Sequence, residues 1–85
     1  MNEKLYAVVN IYDYGRRMVE YATFTDYWSA KQFARHCIHD RAVALPEDYG
    51  HLEVMRHSKG QNFHYGDQLF KIMPNGEEFE AEGEK

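Results

Sequence analysis

The segment His36-Cys37-Ile38-His39-Asp40 gathers residue types that bind metals or activate a thiol, with two histidines three positions apart. A first-row metal held there would still need two ligands from elsewhere in the chain. A thiol nucleophile needs exposure and a neighbouring base. Cys37 falls instead on the apolar stripe of a helix while His36 points away from it. The segment therefore reads as a structural cysteine beside solvated histidines at a helix end, where the macrodipole favours a cation.

Three other histidines, His51, His57 and His64, lie further on, the first two on one face of a strand. Such a face can titrate near neutral pH, and its plainer reading is a polar outer surface. Glu47 and Asp48 are adjacent in a loop with no apolar pocket to separate their roles as acid and base. The chain has no phosphate-binding GxxxxGK(S/T), no GxGxxG after a strand, no GxSxG and no HExxH. The expectation is a protein that is not an enzyme, with no catalytic residues, no metal and no cofactor.

Thirteen aromatic residues exceed what one small core needs. Tyr6, Tyr12, Tyr14, Tyr21, Tyr27 and Tyr65 cannot all be interior, because each buried hydroxyl requires a partner. In Tyr14-Gly15-Arg16-Arg17 an aromatic stands beside two guanidinium groups. That combination suits single-stranded nucleic acid, where rings stack on bases and arginine forks hold phosphates. It also suits a protein interface.

These residues must be positioned by a simple set of elements. Lys4 to Tyr12 predicts a first strand with apolar residues on both faces: Leu5, Ala7, Val9 and Ile11 on one, Tyr6, Val8 and Tyr12 on the other. Asp13-Tyr14-Gly15 marks a turn into a second strand over Met18 to Phe24, where Val19, Tyr21 and Thr23 alternate with Glu20 and Ala22. Thr25 or Asp26 can cap the helix over residues 27–40, whose stripe is Ala30, Phe33, Ala34, Cys37 and Ile38. Its other side carries Lys31, Gln32, Arg35, His36 and His39, without an acid before Asp40. Pro46 stops the helix and residues 45–50 read as a loop. Strands follow over His51 to His57 and Gln68 to Met73, separated by the glycine-containing loop of residues 58–67. The predicted fold class is α+β in ββαββ order: a four-stranded, mostly antiparallel sheet with one helix packed on one face. Phe33 and Ile38 are expected to be buried against Leu52, Val54, Phe70 or Ile72.

At 85 residues the chain has room for one small domain, and 44% hydrophobic with 28% charged residues is ordinary globular composition. Residues 77–85 hold five of the fourteen acids and one of the ten bases, leaving nine of each on residues 1–76. The expected organisation is a neutral domain over 1–76 and an acidic flexible tail over 77–85. A neutral domain is neither a strongly basic nucleic-acid binder nor an all-acidic DNA mimic. No apolar run nears the roughly 18 residues of a membrane span, and the opening reads as a strand rather than a secretion signal. The expected location is the cytoplasm, with no membrane partner.

The order of features resembles the small nonstructural proteins of gokushovirus-type microviruses, tailless phages with circular single-stranded DNA genomes. The likeness is carried by Ile11-Tyr12-Asp13 closing the first strand, a helix with Ala30, Lys31 and Phe33, and Pro46-Glu47-Asp48-Tyr49 ahead of Leu52. A turn at Lys59-Gly60 and a terminal Asn75-Gly76-Glu77-Glu78-Phe79 complete it. The resemblance implies an accessory of viral DNA replication or packaging, in the host cytoplasm, with no catalytic residues to carry over.

Together these readings predict a phage-encoded, non-enzymatic module that binds single-stranded nucleic acid or a replication or packaging complex. Its expected contacts are Tyr14, Arg16, Arg17, Lys31, Arg35 and Arg41. The alternative is a small inhibitor or adaptor that docks on a host or viral protein through the uncovered sheet face and the acidic tail. Tyr6, Val8 and Tyr12, expected on that uncovered face, predict self-association as a two-fold homodimer. A flexible acidic tail is also able to fold over the basic groups and compete with phosphate.

Overall fold

The computed structural model describes residues 3–40 and 49–81. Strands β1 (Lys4–Tyr12) and β2 (Arg17–Phe24) form the expected hairpin, and helix α1 (Tyr27–His39) follows. Strands β3 (Tyr49–Ser58), β4 (Asp67–Ile72) and β5 (Glu78–Glu80) complete one antiparallel sheet in the order β2-β1-β3-β4-β5. A single-turn helix, Phe63–Tyr65, interrupts the β3–β4 connection. β2 and β3 both run antiparallel to β1 and flank it, so they are parallel to each other. Parallel strands cannot be joined by a tight turn, so the connection carrying α1 must cross the sheet.

The sheet has five strands where four were expected. The fifth comes from the acidic segment: Glu78, Phe79 and Glu80 pair with Ile72, Lys71 and Phe70. The turn before it is closed by the Met73 amide donating to the Glu77 carbonyl and Gly76 to Met73, each at 2.8 Å. Gly76 takes a φ of 92°, which glycine adopts without steric penalty.

Helix α1 is capped by Asp26, whose carboxylate accepts from the Ser29 amide at 2.8 Å and the Ser29 hydroxyl at 2.9 Å. Its fully buried residues are Ala30, Ala34 and Cys37. Small side chains let the helix approach closely, and the sheet supplies the bulk with Val8, Leu52, Val54, Phe70 and Ile72. Phe33 and Ile38 are only half-buried and flank this seam rather than forming it. Burial of each large sheet residue stabilises by about 1.5–3 kcal/mol.

Two assignments of sheet face are corrected. In β2 a bulge places Ala22 opposite Val8 and Glu20 opposite Val9, so Tyr21 is the extra residue. The simple alternation of Val19, Tyr21 and Thr23 is thereby broken, and Tyr21 packs toward the helix with its hydroxyl accepting from Asn10 Nδ2 at 3.0 Å. In β1, Tyr6 and Val8 also face the helix: Val8 is fully buried and Tyr6 stacks on Tyr27 with ring centroids 5.8 Å apart. Tyr12 is half-buried at the strand's end. The expected solvent-facing patch of Tyr6, Val8 and Tyr12 is therefore not formed.

The face away from the helix carries Ala7, Val9, Ile11 and Met55, with Met18 and Phe63 packed against them. Ala7 and Val9 are fully buried on this face and His57 nearly so. His51 and Glu53 pair across this face at 2.5 Å.

Candidate nucleic-acid interface

The β1–β2 turn presents the first cluster. Asp13, Tyr14 and Gly15 have φ values of 54°, 57° and 83°, three consecutive left-handed residues of which two carry side chains. The Gly15 amide donates to the Tyr12 carbonyl at 3.1 Å and Arg16 to that of Asp13 at 3.0 Å, which holds the turn in this shape. Left-handed backbone costs an L-residue roughly 1–2 kcal/mol. Tyr14 is 94% exposed, so no packing by its ring offsets that cost. Arg16 is exposed beside it, and Arg17 lies 3.4 Å from the Asp13 carboxylate with its side chain largely in solvent.

The second cluster lies on α1. Lys31 and Arg35, one helical turn apart, were expected to be free of acids, and β5 supplies them. The Arg35 guanidinium donates twice to Glu78, at 2.7 and 2.9 Å, and Lys31 Nζ donates to Glu80 at 3.0 Å. The rings of Tyr27 and Phe70 lie beneath: Lys31 Nζ is 4.5 Å from the Tyr27 centroid, and Arg35 Cζ is 5.4 Å from that of Phe70. The Tyr27 hydroxyl also reaches Glu80, at 3.0 Å. The hydrogen bond from Arg35 holds the Glu78 carboxyl below its ordinary pKa, the bond from Lys31 does the same for Glu80, and Glu78 in turn raises Arg35.

The two clusters are not contiguous. β2 and β5 are opposite edges of the sheet, four interstrand steps of about 4.8 Å or roughly 19 Å apart, with the hairpin tip at one border and the carboxylates that hold Lys31 and Arg35 at the other. That exceeds the screening length of about 8–10 Å, and the clusters act as separate charges. Arg41 lies outside the described residues.

The other reactive side chains resolve as follows. Cys37 is fully buried, and burial pushes its thiol pKa up. His36 pairs with Asp40 at 2.6 Å on the exposed side of the helix end. Among the described residues no group of three or more His, Cys, Asp or Glu side chains could hold a metal ion, and no helix is long and apolar enough to cross a membrane.

Sequence reasoning brought the acidic tail to the basic groups but singled out neither Glu78 nor Glu80 and placed neither in a strand. The available signal was the alternation Glu-Phe-Glu, which puts two acids on one strand face at the spacing of one helical turn.

The fold is an open five-stranded antiparallel sheet carrying one helix, an α+β architecture. No family model, curated protein or solved structure matches the chain.

Proposed function

We propose that this chain is a non-enzymatic accessory protein that binds single-stranded nucleic acid through the tip of its β1–β2 hairpin. Tyr14 is the stacking ring, and Arg16 and Arg17 hold phosphate. The phage replication or packaging role implied by the microvirus resemblance is the setting that fits such a module. The observation that carries the reading is Tyr14, 94% exposed on left-handed backbone beside an arginine with no ion-pair partner among the described residues. Strained backbone persists where the surroundings over-determine it, and such positions cluster at binding sites.

The test is fluorescence anisotropy with a labelled single-stranded DNA oligonucleotide across a salt series. Replacing Arg16 and Arg17 by alanine is expected to weaken binding and reduce the salt slope by about 0.7 for each phosphate contact removed. An unchanged slope refutes the assignment.

A second reading, docking on a host or viral protein, draws on Trp28, 67% exposed in the first turn of α1 and away from the hairpin tip. Tryptophan is enriched among residues that dominate protein interfaces. A pull-down from host extract with and without nuclease separates the two readings: nuclease-resistant capture of a protein that survives 200 mM salt favours docking.

A further inference from the structure

We infer that Lys31 and Arg35 form a second phosphate-binding subsite, which the carboxylates of Glu80 and Glu78 occupy in cis. The inference rests on the nucleic-acid reading and extends it to the opposite edge of the sheet.

The geometry is that of an occupied anion site. Arg35 meets Glu78 through two donors, at 2.7 and 2.9 Å, the fork arrangement that also suits phosphate. The two cations are held over Tyr27 and Phe70, and Phe70 is itself buried at 1% exposure. The Lys31 side chain is 16% exposed and that of Arg35 30%, so the pair is pre-positioned rather than dispersed in solvent. Glu78 and Glu80 are alternate residues of a strand, about 6.8 Å apart along it, a step comparable to that between neighbouring phosphates of an extended single strand. The strand that carries them is also the weakest element of the sheet. β5 has three residues, all exposed, and pairs with β4 alone. The cover can leave with β1, β3 and their pairing untouched.

Two acids of the chain thus stand where two phosphates would sit. Nucleic acid and β5 compete for the same donors, and binding at this edge requires the carboxylates to be displaced.

The experiment uses the full chain with Glu78→Gln and Glu80→Gln together, which keeps the length and hydrogen-bonding capacity of β5 but removes its charge. Oligonucleotides of about 12 nucleotides suit the test, within the range of roughly 4–16 covered by small single-strand binding domains. The double variant is expected to bind the labelled oligonucleotide on the order of tenfold more tightly at about 50 mM salt, with a salt slope steeper by about 1.4 for two added contacts. A charge-matched variant, Glu3→Gln with Glu20→Gln, is expected to gain much less. Adding Lys31→Ala and Arg35→Ala to the E78Q/E80Q protein is expected to erase the gain, with thermal melts confirming that each variant folds.

Equal affinity and slope for E78Q/E80Q and the unaltered chain overturn the inference, as does an equal gain in the charge-matched variant. A gain for a polyglutamate peptide but not for the oligonucleotide also overturns it, since the occupant is then an acidic polypeptide. Carrying Arg16→Ala and Arg17→Ala in both backgrounds keeps the two readings apart. Binding lost through those arginines with no gain from E78Q/E80Q sinks only the second subsite. A gain from E78Q/E80Q that is indifferent to them sinks only the hairpin.

Discussion

Replacing Tyr14 by glycine should move stability and binding in opposite directions. The φ of 57° at Tyr14 costs an L-residue roughly 1–2 kcal/mol that glycine does not incur. Glycine adds about 0.4–1 kcal/mol of unfolded-state entropy against that gain. The balance is a stabilisation of about 1 kcal/mol or somewhat less, since an almost fully exposed ring contributes no packing to lose. For a domain of this size the melting temperature should rise by up to about 4–8 °C. Losing one stacked base should cost about 1–3 kcal/mol, which is roughly 5- to 150-fold in affinity for single-stranded DNA. The assay is a pair of measurements on one preparation, a thermal melt by circular dichroism and an anisotropy titration at low salt. A melting temperature that falls by several degrees would show that the ring makes contacts that hold the turn. A rise in stability with unchanged affinity would remove Tyr14 from the binding site.

Gly66→Ala should be strongly destabilising although its φ of −86° suits any residue, because the added Cβ would run into the Arg56 carbonyl oxygen. Overpacking of this kind costs about 1–3 kcal/mol, and a melting temperature within about 3 °C of the parent would contradict the close approach of the β3–β4 loop to β3. Acid should loosen β5 before the rest of the sheet. Glu78 and Glu80 have folded pKa values below the ordinary 4.5, so their contribution is full above the unfolded value and is lost as pH falls through the folded ones. Each pair is partly exposed and contributes about 1 kcal/mol or less. NMR shifts of the β5 amides should therefore titrate below about pH 4.5, and the same profile after Arg35→Ala would refute the coupling.

The hairpin, the helix and the two later strands were legible from period and punctuation. Asp13-Tyr14-Gly15 between apolar runs demands a turn, and Ala30, Ala34 and Cys37 recur at helical spacing. Three features were not legible, each for a physical reason. Phe33 and Ile38 fit the stripe as well as the alanines do, but a helix lying flat on a sheet seats its smallest residues at the contact and moves large ones to the flanks. The side of β1 that meets the helix is undetermined when both sides are apolar, so Tyr6 and Val8 were assigned outward. β5 was hidden because a run of five acids in nine residues has the composition of a solvated tail. The single aromatic, Phe79, facing Lys71 at 5.4 Å from its centroid, was the sign of order within it. The tip residues Tyr14, Arg16 and Arg17 were readable in sequence because exposure there follows from the turn itself. The neutralisation of Lys31 and Arg35 comes from residues more than forty positions away, so the Glu-Phe-Glu alternation shows that two acids share a strand face but not which cations they meet.

The central place of β1 also sets when this chain can close its sheet as it leaves a ribosome. Its first neighbour, β2, follows after a four-residue turn, whereas its second, β3, begins after about 36 intervening residues. Closing the longer loop costs about 2 kcal/mol more in chain entropy than closing the shorter one. Since Lys4 lies opposite Ser58, the first strand keeps one edge unpaired until Ser58 has been made. An unpaired edge with apolar residues on both sides is a template for other chains. The completed protein ends instead in a bulged β2 at one border and a three-residue acidic β5 at the other. Vulnerability to aggregation thus belongs to the unfinished polypeptide: β3 covers the edge of β1, and β4 then covers the edge of β3.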